Sequence, residues 1–176
     1  MLKSNHLEGA AHMATPPWMR IVGVVLGAFN VVGAALIVLV LAATALSVFQ
    51  RYILGKSMAG VDEATGFLVV AIVMAGAGSA LRSGDHIRID ILIDAVGSQM
   101  RRWFDVLAYA CVLIFSLLLT YTAWHSVTFS YAFEVYSSGY LELPIWIPQS
   151  AMVIGGALLT LAAVERLVVT LTRTGP

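Results

Sequence analysis

Charge is scarce in this chain. Only 11% of its 176 residues are Asp, Glu, Lys or Arg, ten of each sign, so the formal net charge is +0. With no cationic excess there is no electrostatic footprint for nucleic acid, and that partner class is set aside. Cysteine is scarcer still. Cys111 stands alone, which excludes an internal disulfide and any enzyme that shuttles one. Because it lies within an apolar run, its expected role is that of a small buried hydrophobe. Sustained apolar–polar alternation is also missing, which argues against a lipid-facing β-barrel.

What fills the chain is long apolar sequence: 60% of residues are hydrophobic and the mean hydropathy is +0.89. Four runs, 21–49, 64–81, 104–133 and 147–171, each reach the roughly 18–20 residues a helix needs to cross hydrocarbon. A lipid core offers no water to backbone groups, so these runs must satisfy their own hydrogen bonds as helices. The fold class read from this is an all-α membrane protein with four transmembrane helices. Residues 21–172 form one membrane domain, 1–20 a poorly ordered tail closed by Pro16-Pro17, and 173–176 a short end. Ala43-Thr44-Ala45 resembles a signal-peptidase site, but the preceding run exceeds the 7–15 residues of a signal core, so the helix is read as retained. The short connections leave no room for a soluble catalytic domain.

Cations sort by side. Lys3, Arg20, Arg82, Arg88, Arg101, Arg102, Arg166 and Arg173 fall on the side shared by both ends of the chain, against Arg51 and Lys56 on the other. The positive-inside rule then places both termini in the cytoplasm. Trp18 and Trp103 mark the inner boundary, while Tyr121, Trp124, Tyr131, Tyr136, Tyr140 and Trp146 crowd the outer one. Between the second and third runs, Ile89, Leu92, Ile93, Val96 and Met100 recur at helical spacing opposite Arg88, Asp90, Asp94 and Arg101. That pattern predicts an amphipathic helix in the membrane interface, or a brace against a neighbouring subunit; the plainer alternative is a simple connector.

Few residues could carry chemistry. Asp62 and Glu63 open the second helix, where carboxylates stabilise the first turn by roughly 0.3–1 kcal/mol each. Either could instead pair with Arg51 or with a partner's cation. His125 is the lone histidine in a span, whereas a haem would ordinarily want a second at similar depth, so no cofactor and no metal is expected. No buried ionisable pair is expected either. Small residues mark packing faces: Gly23, Gly27, Asn30 and Ala34 in the first helix, residues 75–80 in the second, Ala151 and Gly155 in the fourth. Pro144 and Pro148 bracket the start of the last helix, with Trp146 as a headgroup-level anchor.

Four local patterns together resemble one family: Gln50-Arg51-Tyr52, Asp62-Glu63, the stretch from Gly78 through Arg82 into Gly84-Asp85-His86-Ile87-Arg88-Ile89-Asp90, and Leu143-Pro144-Ile145-Trp146. They are similar to the small membrane subunit, DctQ type, of tripartite ATP-independent periplasmic (TRAP) transporters, over roughly residues 20–172. The tail before Arg20 matches nothing in that pattern, and Met13 is an alternative start. The resemblance implies a scaffold in the bacterial inner membrane, bracing a large membrane subunit that holds Na⁺ and an organic acid anion delivered by a periplasmic substrate-binding protein. It places Arg51, Tyr52, Asp62 and Glu63 at the outer surface near those partners. Arg82, His86, Arg88 and Asp90 would fix the cytoplasmic turn against headgroups or the partner, or through an internal salt bridge from Arg88. Two alternatives stand beside it: a haem- or quinone-binding anchor of a respiratory enzyme, and a small homodimeric exporter.

Overall fold

The computed structural model describes residues 17–56, 58–83 and 98–172. Four helices account for nearly all of them: α1 (Pro17–Ile53), α2 (Val61–Ser83), α3 (Ser98–Ala132) and α4 (Trp146–Thr172). All four are long and apolar enough to cross a membrane. The helices overrun the apolar runs that announce them. At 1.5 Å per residue, the 37 residues of α1 extend about 55 Å, well beyond hydrocarbon roughly 30 Å thick. Its ends therefore stand in or above the headgroups, where nothing forbids a helix from continuing. The interfacial helix expected around residues 89–100 lies largely outside the described residues; its last positions, from Ser98, already belong to α3.

The helix ends follow local rules with one exception. Pro17 occupies the first position of α1, where its missing N–H costs nothing. Past α1, Gly55 takes a left-handed conformation, and before α2 Gly60 does the same while its carbonyl accepts from Ala64 N. The exception ends α3. Val135 N donates to Ser130 O and Glu134 N to Tyr131 O, the pattern of a Schellman cap, yet the left-handed position is held by Glu134 (φ 47°) where glycine is usual. The loop then folds back through an isolated antiparallel bridge between Tyr136 and Pro144, with Glu142 also at positive φ. Trp146 opens α4, with Pro148 in its first turn.

The helices stand in a row in the order α1, α2, α4, α3: α2 packs between α1 and α4, and α4 between α2 and α3. Contact is close because glycines sit at the seams. Gly33 meets the Ala75 side chain, and Gly78 lies against Leu26 and the Leu158 backbone. A side chain at Gly155 would strike the Met74 backbone, and one at Gly156 would strike Thr120. Among the described residues a buried cluster, Val22, Leu26, Leu81, Leu158, Ala162 and Ala163, lies toward the level where α2 finishes. Most other large apolar side chains are exposed, including Val31, Val38, Leu41, Phe115 and Leu118. In lipid that costs nothing, since acyl chains are as apolar as leucine and helices associate by packing and hydrogen bonds. Cys111 belongs to this outward surface and is exposed, against the expectation of burial, because α3 turns that side away from α4.

Candidate functional site

Among the described residues a polar fastening stands at each end of α2. At the first, Arg82 in the last turn of α2 reaches both neighbours. Its Nη2 lies 3.1 Å from Glu165 Oε1 on α4 and donates to the Met19 carbonyl of α1 at 3.0 Å. The guanidinium lies over Gly23, where any Cβ would collide with it. One side chain thus joins three helices, and Gly23 is there to make room for it. Glu165 is 3% exposed, and its second oxygen has no partner among the described residues. This overturns the expectation that no ionisable pair is buried. The pair was readable in principle, because Glu165 is an acid inside an apolar span, and such residues are rarely idle.

The second fastening is at the opposite end. Glu63, in the first turn of α2, accepts from the Ser137 hydroxyl through one oxygen and from Leu141 N at 3.2 Å through the other. Gly139 passes so close that a side chain there would overlap the carboxylate, and Gly60 likewise makes room for Leu141. Glu63 therefore turns inward onto the 137–141 loop. Its neighbour Asp62 is exposed and lines a cleft of about 210 Å³ with Arg51, Thr44 and Ser47. No ion pair joins Arg51 and Asp62 among the described residues.

The other singled-out residues divide. Tyr52 is 82% exposed, and a side chain at Gly27 would meet no described residue within 4 Å. Gly23 and Gly27 share a spacing but not a role. Trp146 packs edge-on against Tyr131 with ring centroids 5.8 Å apart. His125 lines a separate cleft of about 360 Å³ with Ser130 and Gln149. His86, Arg88 and Asp90 lie outside the described residues. Among the described residues no three His, Cys, Asp or Glu side chains converge as metal ligands. Between α3 and α4, the Thr160 hydroxyl donates to Ser116 Oγ at 3.0 Å, a polar rivet inside the span.

Comparisons with a family profile and with curated relatives agree. The chain is 29% identical over 138 residues to the C4-dicarboxylate TRAP transporter small permease protein DctQ of Vibrio cholerae, covering 66% of this chain and 60% of that one. It is 28% identical over 165 residues to the ectoine TRAP transporter small permease protein TeaB of Halomonas elongata, covering 88% and 83%. The family profile described as "Tripartite ATP-independent periplasmic transporters, DctQ component" matches residues 40–173, from the second half of α1 to the end of α4. With four membrane-length helices fastened at both ends and most of its length matched, the chain belongs to the DctQ component family of the TRAP transporters.

Proposed function

We propose that this chain is the non-catalytic small permease subunit of a Na⁺-coupled importer of organic acid anions, working with a large membrane subunit and a periplasmic substrate-binding protein. The observation that carries this reading is the closure of the seams. Gly33, Gly78, Gly155 and Gly156 bring neighbouring helices close together, while the flanks of the row stay apolar and exposed. A row closed within and apolar without suits a brace for another membrane protein. The positive-inside rule supports both termini in the cytoplasm of a bacterial inner membrane, which would put the Arg82–Glu165 pair inside and Glu63 outside.

The substrate belongs to the partners in this reading. Two relatives of nearly equal identity are named for different solutes, C4-dicarboxylate and ectoine, so similarity at this level does not track the solute. Reconstitution tests the proposal. Liposomes holding this chain alone should take up no carboxylate, and adding the large subunit and the binding protein should yield uptake driven by a Na⁺ gradient. Transport by this chain alone would favour the homodimeric exporter, and a haem spectrum in the purified protein would favour the respiratory anchor.

A further inference from the structure

The close packing of α1 on α2 is confined to one half of their length. Val22, Leu26 and Gly33 are buried, yet no α1 residue beyond Gly33 is. Past Gly33 the covered stripe of α1 continues only half-buried, through Leu36, Val40, Ala43, Ser47 and Gln50, and it ends at the cleft lined by Thr44, Ser47, Val48, Arg51, Asp62 and Thr65. Two features of that cleft call for an occupant. Arg51 and Asp62 carry opposite charges on facing helices but form no ion pair with each other among the described residues. The hydroxyls also behave unusually. In these helices Thr65, Thr120, Thr128, Thr160, Thr170 and Thr172 donate back to a carbonyl one turn earlier, the normal solution where water is absent. Among the described residues Thr44 and Ser47 have no such bond.

We infer that this cleft is a headgroup site for a zwitterionic phospholipid bearing a primary ammonium, with Arg51 taking the phosphate and Asp62 the ammonium. A zwitterion satisfies both unpaired charges at once through charge-assisted hydrogen bonds. An anionic headgroup would leave Asp62 unmatched, and a trimethylated ammonium could not donate to it. The vertical order fits as well. Ser47 lies about 6 Å and Thr44 about 10 Å along α1 from Arg51, toward the membrane interior. Phosphate, ester carbonyls and acyl chains follow one another in that sequence, so the two spare hydroxyls meet ester oxygens. Below them the same face of α1 is apolar and exposed, as at Ile37 and Leu41. A protein partner in the same opening would need its own acid and base at matching depth, whereas a bilayer lipid brings both on one headgroup.

The test is lipid retention by the full chain in detergent, read by native mass spectrometry after exchange with phosphatidylethanolamine, phosphatidylcholine or phosphatidylglycerol. The wild-type protein should keep one phosphatidylethanolamine, and prefer it roughly tenfold, the effect of one charge-assisted hydrogen bond. Asp62→Asn should abolish the preference over phosphatidylglycerol, and Arg51→Gln should lose both lipids. Val48→Trp, which fills the cleft while leaving both charges, should expel the lipid and so controls for misfolding of the charge variants. Equal retention of all three lipids by the wild type would overturn the site, as would unchanged binding by Arg51→Gln and Val48→Trp. Equally tight binding of soluble phosphoethanolamine would replace a lipid by a free headgroup ligand. Loss of the lipid on co-purification with the large subunit would reassign the opening to protein.

Discussion

Arg82 on α2 and Glu165 on α4 meet at 3.1 Å with the carboxylate almost wholly buried, although 83 positions separate them in the chain. Taking one partner from a buried pair costs roughly 3–5 kcal/mol, chiefly because a charge is left behind without a mate. Arg82 keeps about a third of its side chain exposed, 34%, so the lower end of that range applies. Arg82→Met should therefore lower the thermal midpoint of the purified protein sharply. Arg82→Met/Glu165→Leu should recover much of the loss, since no charge stays stranded. A double variant as unstable as the single one would show that the carboxylate is not what suffers.

Two glycines of the helix interiors should behave in opposite ways. Gly155→Leu drives a side chain into the Met74 backbone and should part α4 from α2, seen as loss of folded yield. Gly27→Leu meets nothing of this chain and should leave the midpoint of the isolated protein unchanged. If Gly27→Leu also reduces co-purification of the large subunit, that surface is where the subunit sits; an unstable Gly27→Leu would contradict the open position seen here.

The contrast between these glycines shows what the sequence could convey. Four membrane-length helices and their order along the chain follow from hydrophobic length, because lipid imposes that constraint residue by residue. Which small residue meets which neighbour does not, since Gly23 and Gly27 have the same spacing and differ only through the position of α2. Arg82 was legible as part of a motif, but its partner is one acid in an apolar run far along the chain. Asp62 and Glu63 are adjacent and alike, and only the return of the 137–141 loop separates the tied one from the exposed one.

Glu134 carries a cost that nothing in its neighbouring residues announces. A left-handed backbone costs an L-residue roughly 1–2 kcal/mol, and glycine would avoid it while losing about 0.5–1 kcal/mol in unfolded-state entropy. Glu134→Gly should then raise stability by up to about 1 kcal/mol, measured by thermal or denaturant unfolding in detergent. A fall instead would mean that the Glu134 side chain makes a contact worth more than the strain.

The Ser116–Thr160 bond lies inside the span, where no water can replace a lost hydrogen bond. Measured interhelical bonds in membranes average about 0.6 kcal/mol and reach about 1.7, because the separated helices find other partners. The single Thr160 proton can go instead to Gly156 O at 2.9 Å, and Ser116 Oγ has its own bond to Leu113 O at 3.0 Å, so Thr160→Val leaves Ser116 a local partner. The expected loss is below 1 kcal/mol by unfolding, and one of several kcal/mol would mean that the whole α3–α4 seam depends on this bond.

Glu63 offers the sharpest local test, because its carboxylate holds Ser137 and the Leu141 amide together. Glu63→Ala should accelerate hydrogen exchange of the Leu141 amide and its neighbours while the interior of α4 stays protected, since only the loop loses its anchor. Asp62→Asn, one residue away and exposed, should leave that exchange pattern unaltered. In the complete transporter the two variants separate two ways of being important: a loop that must be held still would make Glu63→Ala the weaker importer. Impairment by Asp62→Asn alone would assign the effect to the neighbouring cleft, where Arg51 and Asp62 face each other across α1 and α2.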